Sequence, residues 1–128
     1  MTPVAGIGTD LTQISRFRRF IEQKKSTLID RLFTASEQAY AMPKRNPAMH
    51  LAARYAAKEA FLKALGLGLR EGISWHDMNV VHDALGKPSL QLSGRALEIF
   101  EQRSLAKLHL SYSHDGDYAM ATVILEKA

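Results

Sequence analysis

The sequence predicts an α+β fold in which helices pack against a small antiparallel sheet. Two alternating runs near the end of the chain, 107–113 and 118–125, are joined by Asp115-Gly116-Asp117, which is typical of a β-hairpin. Earlier segments have apolar residues at helical spacing instead. With 128 residues, the chain is long enough for one domain with a core and too short for two ordinary ones, so we expect a single domain over 1–128.

The chain begins with a predicted strand followed by a helix. The strand covers 1–11 and ends beside Asp10, and its Gly6 and Gly8 allow another backbone or a ligand to come close. The helix covers 12–25, where aromatic and aliphatic residues recur every three or four positions.

Two further helices are predicted in the middle of the chain. One runs from Thr34 to residue 42, because Glu37 follows Thr34 at the spacing of a capping box. The other is long, covers 48–65 and is closed by Gly66.

The second half of the chain is predicted to contain two more strands and one more helix. The strands cover 78–81 and 88–92 and are joined by a turn at 83–87, as in a hairpin. An amphipathic helix over 94–104 then precedes the terminal hairpin.

The long helix carries charges that do not form one solvated stripe. At about 100° per residue, its small residues share one arc that is suited to close packing. On the other side, Arg54 and Lys58 lie among leucines, and Glu59 lies one turn before Lys63. This mixture indicates a ligand or partner surface. The alternative is an ordinary helix-stabilising ion pair between Glu59 and Lys63.

The composition narrows the class of protein. Hydrophobic residues make up 46% and charged residues 23% of the sequence, as in soluble globular proteins. The net charge of +4 favours anionic partners such as phosphates, nucleic acid or an acidic protein. Zero cysteines exclude disulfides and thiolate chemistry. Without a leader-like start or a bilayer-length apolar run, we expect a cytoplasmic protein with no membrane partner.

Three segments carry a resemblance to a known family. They are Gly6-Ile7-Gly8-Thr9-Asp10-Leu11, the helix motif that begins Arg54-Tyr55-Ala56-Ala57-Lys58-Glu59-Ala60, and Leu110-Ser111-Tyr112-Ser113-His114. In this order and spacing the chain resembles the holo-[acyl-carrier-protein] synthases, the small 4′-phosphopantetheinyl transferases of fatty-acid synthesis. The resemblance covers nearly the whole chain and implies the fold of that family.

The resemblance implies a magnesium site with catalytic residues around it. Asp10 and Glu59 match the two carboxylates that bind Mg²⁺ in the family, and Mg²⁺ is commonly held by one or two carboxylates with waters and phosphates. Lys63 matches the lysine that faces the pyrophosphate of coenzyme A and neutralises charge on the leaving group. Glu59, directly or through water, is also the candidate acceptor of the serine proton.

Coenzyme A is the substrate that the resemblance implies. A serine of apo acyl carrier protein would attack its β-phosphate, so that phosphopantetheine moves and adenosine 3′,5′-bisphosphate leaves. Glycines in such sites let phosphates approach backbone amides. The residues that match the family's coenzyme A contacts are Arg54, Lys63, Gly66, Gly68, Ser113 and His114.

The resemblance also implies partners. The family forms homotrimers with the site at the boundary between subunits. Acyl carrier proteins are acidic, so Arg16 and Arg19, with Arg18 between them, are candidate docking residues; the alternative is a solvated helix face.

Two other functions remain open at this stage. One is a non-catalytic module that binds a nucleotide or nucleic acid through its basic surface, although two carboxylates at the centre of the site and sparse aromatic residues argue against nucleic acid. The other is a transferase specialised for a polyketide or peptide carrier domain, which differs only in carrier choice.

Overall fold

The computed structural model describes residues 3–128 and confirms the α+β architecture. Two antiparallel sheets replace the single one expected from the sequence. The three-stranded sheet has the order β1-β5-β4, with β1 at Val4–Gln13, β4 at Leu105–Asp115 and β5 at Tyr118–Lys127. The two-stranded sheet pairs β2 (Met78–His82) with β3 (Pro88–Leu92). Met1 and Thr2, where we predicted the first strand to begin, lie outside the described residues.

The helices of the described chain are α1 (Ile14–Glu22), α2 (Ser26–Leu32), α3 (Ala35–Ala41), α4 (Pro47–Leu65) and α5 (Gly94–Gln102). The capping box of α3 forms as predicted, since Thr34 and Glu37 exchange hydrogen bonds. Gly66 closes α4 in the left-handed conformation, with φ of 76°. Among the described helices, none has both the length and the apolar content needed to cross a bilayer.

The start of α1 differs from the prediction. Thr12 and Gln13 still pair with β5, so the strand continues past the expected end and the helix begins only at Ile14. Asp117, in the turn between β4 and β5, accepts hydrogen bonds from the backbone N–H of Ser15 at 2.9 Å and from its hydroxyl at 2.7 Å. The cap of α1 therefore comes from a residue about a hundred positions away, which local sequence patterns do not reveal.

The helix α4 packs on β1 with almost no side chain between them. A Cβ atom at Gly6 would overlap the carbonyl oxygen of Ala64, and one at Gly8 would overlap that of Ala60. The small arc of α4 is buried as expected, including Ala56, Ala57 and Ala60. The two glycines thus admit a helix backbone, not a ligand, and they set the position of β1 against α4.

Part of the mixed face of α4 belongs to the protein interior. Lys58 is fully buried, and its Nζ lies 2.7 Å from Glu37 Oε1, 2.7 Å from the carbonyl oxygen of Leu32 and 3.3 Å from that of Trp75. Burial lowers the pKa of Lys58, and the charge of Glu37 opposes that lowering. Lys58 therefore joins α2, α3 and α4 and is not part of a ligand surface.

The outer face of the three-stranded sheet exposes apolar side chains. Ile7 and Leu11 of β1 are 65% and 64% exposed, and Tyr118 and Met120 of β5 are 47% and 45% exposed. This patch of neighbouring apolar residues has the character of a protein interface.

Candidate functional site

Asp10 and Lys63 form the centre of the first candidate site. Lys63 Nζ lies 3.0 Å from Asp10 Oδ1 and donates also to the carbonyl oxygen of Thr9 at 3.1 Å. The buried Thr12 donates its hydroxyl to Asp10 Oδ2 at 2.6 Å. The aspartate is thus held from both sides. Sequence analysis missed Thr12, although two residues along a strand place it on the same face as Asp10.

Glu59 lies one turn before Lys63 on α4 but does not pair with it. Its Oε1 accepts a hydrogen bond from the Tyr55 hydroxyl at 3.1 Å, and within the described chain Glu59 has no ion pair. Burial raises the pKa of Tyr55 and the charge of Glu59 raises it further, so Tyr55 is a neutral donor. The alternative of a Glu59–Lys63 ion pair is therefore wrong.

The Asp10–Lys63 pair and Glu59, one turn before Lys63, are called here the carboxylate cluster and offer two hard anionic ligands. Within residues 3–128, no group of three or more histidine, cysteine, aspartate or glutamate residues could hold a metal. Two carboxylates fit Mg²⁺, which completes its coordination with waters and phosphate oxygens. They do not fit a Zn²⁺ site, which needs three or four protein ligands.

Arg54 lines a second candidate site, a cavity of about 480 Å³. The side chain is 1% exposed; one terminal nitrogen donates to the His50 carbonyl oxygen at 3.0 Å, and Nε has no hydrogen-bond partner. The guanidinium carbon lies 4.3 Å from the centre of the Tyr40 ring. A buried guanidinium with unused donor capacity, in a cavity, is suited to binding an anion.

Histidine and tyrosine side chains surround Arg54 in this cavity. His82 stacks on Tyr40 with 5.0 Å between the ring centres, and its Nε2 lies 2.5 Å from the Tyr112 hydroxyl oxygen. Burial lowers the pKa of His50 and of His82, and the charge of Arg54 lowers both further. The sequence alone does not point to these two histidines, because they lie 32 residues apart without metal-ligand spacing.

The two candidate sites face different sides of α4. Arg54 and Glu59 are five residues apart, which is a rotation of about 140° around a helix axis. The residues that line the Arg54 cavity do not include Asp10, Glu59 or Lys63. Within one chain, the structure therefore does not bring Arg54 to the carboxylate cluster.

The remaining predicted contacts divide between these surfaces. His114 lines the Arg54 cavity and, together with Ser113, a shallow cavity of about 220 Å³ on the outer sheet face. Gly66 and Gly68 follow α4 with positive φ angles of 76° and 63°, and nothing lies within 4 Å of where their Cβ atoms would be. The N–H of Gly66 caps α4. This open loop lies just beyond Lys63.

The predicted docking residues Arg16 and Arg19 are both exposed on α1. The guanidinium carbon of Arg16 lies 5.2 Å from the centre of the Tyr55 ring. Arg16 thus lies over the side chain that holds Glu59.

Known proteins include relatives of this chain over nearly its whole length. The profile of the 4′-phosphopantetheinyl transferase superfamily matches residues 6–123. A curated holo-[acyl-carrier-protein] synthase from Syntrophotalea carbinolica is 55% identical over 126 residues, which cover 98% of each chain.

Solved structures agree with the sequence comparison. The crystal structure of holo-[acyl-carrier-protein] synthase from Neisseria meningitidis has a TM-score of 0.87 and 36% identity, and covers 98% of this chain and 100% of that one. The Helicobacter pylori holo-[acyl-carrier-protein] synthase, solved in complex with coenzyme A, has a TM-score of 0.81 and 28% identity over 93% of this chain and 98% of that one.

Proposed function

Since this chain belongs to the holo-[acyl-carrier-protein] synthases of the 4′-phosphopantetheinyl transferase superfamily, we propose that it uses Mg²⁺ to move phosphopantetheine from coenzyme A to the acyl carrier protein of fatty-acid synthesis in the cytoplasm. The observation that carries the proposal is the carboxylate cluster, in which Lys63 of α4 pairs with Asp10 of β1 and Glu59, one turn before Lys63, has no ion pair within the described chain.

Asp10 and Glu59 are the residues that would hold Mg²⁺. When bound, the metal would withdraw charge from the pyrophosphate of coenzyme A. Thr12 fixes one oxygen of Asp10, so the carboxylate keeps its orientation when Lys63 moves. Lys63, whose side chain is 52% exposed, can turn from Asp10 towards an incoming phosphate.

The reaction that we propose makes one bond and breaks one. The serine oxygen of the carrier forms a bond to the β-phosphorus, and the bond from that phosphorus to the bridging oxygen breaks, so that adenosine 3′,5′-bisphosphate leaves. Glu59 takes the serine proton, for which its unpaired carboxylate is suited. Lys63 supplies positive charge where negative charge grows on the leaving group.

Arg54 and His114 are proposed to bind the adenosine bisphosphate end of coenzyme A. Their cavity holds a buried guanidinium with a free Nε beside aromatic rings, which suits a phosphate attached to a flat base. Gly66, Gly68 and Ser113 are proposed as further contacts, the glycines because their loop is open next to Lys63.

We propose a homotrimer in which one coenzyme A molecule touches two subunits. Arg54 and Glu59 face different sides of α4, so a molecule that needs both would take Glu59 from one chain and Arg54 from the next. The exposed apolar residues of the outer sheet face, such as Leu11 and Met120, offer a surface for this assembly. Arg16 and Arg19 remain the proposed docking residues for the acidic carrier.

Intact-mass measurement of purified apo acyl carrier protein tests the transfer. Incubation with coenzyme A and Mg²⁺ is expected to add one phosphopantetheine, and EDTA or Glu59→Gln is expected to abolish most of the gain. Glu98→Gln, which removes an exposed carboxylate on α5, is the matched control and should leave the rate unchanged. Absence of any gain with folded wild-type protein would overturn the proposed function.

A further inference from the structure

We propose that Tyr55 is a positioning residue for Glu59: its hydroxyl holds the carboxylate apart from Lys63 and keeps one oxygen of Glu59 available to the reaction. This inference rests on the proposed function, because it gives Tyr55 a part in the same site. It concerns a hydroxyl that neither the motif nor its spacing points to.

The hydrogen bonds around Glu59 carry the argument. Glu59 has two helical neighbours within reach, Tyr55 one turn before and Lys63 one turn after. Lys63 is occupied by Asp10 at 3.0 Å and by the carbonyl oxygen of Thr9 at 3.1 Å. The Tyr55 hydroxyl, 3.1 Å from Glu59 Oε1, is the donor that remains.

The packing of the Tyr55 ring makes this donor rigid. The ring centre lies 5.3 Å from that of Phe17 and 5.3 Å from that of Trp75, and the Arg16 guanidinium carbon lies 5.2 Å from it. These contacts come from α1 and from the segment before β2. The tyrosine side chain has only two torsions and is held by three neighbours. Its hydroxyl therefore binds Glu59 with little loss of conformational entropy.

The chemistry of the donor matters as much as its position. A phenol hydroxyl donates to one carboxylate oxygen and leaves the negative charge in place, whereas an ammonium would neutralise that charge. Because Tyr55 engages only Oε1, Oε2 of Glu59 has no hydrogen bond within the described chain. Glu59 is therefore oriented by a neutral donor, and one of its oxygens stays available to a metal or a proton.

Tyr55→Phe removes the hydroxyl and keeps the ring, so it tests the positioning role without emptying the core. We expect its kcat for phosphopantetheine transfer to fall about tenfold, the lower end of the loss for a hydrogen bond to a charged group. The KM for coenzyme A should stay the same, because Tyr55 does not line the Arg54 cavity. The Tm should be within experimental error of wild type.

A second readout needs no turnover. Mn²⁺ binding to the protein without coenzyme A, followed by electron paramagnetic resonance, should weaken several-fold in Tyr55→Phe. Tyr112→Phe removes a comparable half-buried hydroxyl, bound to His82, and should leave Mn²⁺ affinity unchanged. Unchanged kcat and Mn²⁺ affinity in Tyr55→Phe would overturn the positioning role. Absence of transfer by the wild-type protein would overturn the proposed function instead, and the Mn²⁺ comparison distinguishes the two.

Discussion

The Lys63 ammonium pairs with Asp10 at 3.0 Å, although Glu59 stands one turn away on the same helix. The pair joins α4 to β1 at the point where Gly6 and Gly8 bring the two backbones together. Lys63 therefore pairs with a residue 53 positions away in the sequence and not with its helical neighbour Glu59. The Asp10 carboxylate thus lies beside a half-exposed cation, and a divalent metal would compete with that cation for Asp10.

Replacement of Lys63 by glutamine should separate metal binding from catalysis. Without the ammonium, Oδ1 of Asp10 no longer pairs with a cation, so Mn²⁺ should bind the coenzyme A-free protein several-fold more tightly. The kcat should nevertheless fall about 100-fold, because charge on the leaving group is no longer neutralised. Mn²⁺ titration and carrier modification measure the two effects. Lys107→Gln, the same charge change at an exposed position on β4, should alter neither, and weaker Mn²⁺ binding in Lys63→Gln would contradict the competition.

The buried pair between Lys58 and Glu37 should control stability. Lys58→Met leaves the Glu37 carboxylate buried without its cation, and loss of one partner of such a pair costs about 3–5 kcal/mol of unfolding free energy. Denaturant unfolding measures this change. Adding Glu37→Gln to Lys58→Met should restore part of the loss, because no unpaired charge is then buried. Equal destabilisation in the single and double variants would show that packing, not charge, is what Lys58 contributes.

Sequence patterns predicted the elements whose signals are local. The capping box at Thr34, the Gly66 stop of α4 and the terminal hairpin all formed where expected. The predicted start of α1 was wrong because the residue that caps this helix, Asp117, belongs to a distant turn. Because Asp117 caps α1 through a tertiary contact, the helix begins two residues later than its apolar pattern predicted.

The candidate site was predictable to a similar degree. Asp10, Glu59 and Lys63 came from the resemblance to a family, and the structure pairs Lys63 with Asp10 and leaves Glu59 bound to Tyr55 one turn before Lys63. The structural role of Lys58 was not predicted, because it depends on Glu37, a partner that only the tertiary fold brings near. A helical wheel orders residues around an axis, but it does not say which side faces the core.

The histidines of the Arg54 cavity should make binding of adenosine 3′,5′-bisphosphate depend on pH. Burial lowers the pKa of His50 and His82 below the ordinary 6.5, so the cavity keeps both histidines neutral at pH 7. A bound phosphate favours the protonated forms and raises both pKa values, so affinity should increase as pH falls from 8 to about 6. Calorimetry in buffers of different ionisation enthalpy should detect proton uptake, and His82→Gln should reduce it. Affinity independent of pH would contradict this role.

The lowered pKa values of His50 and His82 should also make stability depend on pH, but stability should fall with pH where ligand affinity rises. A histidine whose folded pKa is lowered contributes stability that is present above the unfolded value of 6.5 and is lost as pH falls through the folded pKa. Without ligand, the Tm should therefore decrease below about pH 6.5, and added adenosine 3′,5′-bisphosphate should reduce that decrease.

Mixing two inactive variants should reveal whether one site is built from two subunits. Arg54→Ala and Glu59→Gln are each expected to lose most transfer activity, because each removes one half of the proposed coenzyme A site. In mixed trimers, a chain with intact Glu59 can lie next to a chain with intact Arg54. With random assembly, about a quarter of the sites should contain both intact residues. Mixed unfolding and refolding should therefore restore about that fraction of wild-type activity. Met120→Asp, a charge on the exposed sheet face, should dissociate the trimer in sedimentation and abolish the rescue. Full inactivity of the mixture, with trimers present, would mean that both groups act within one chain.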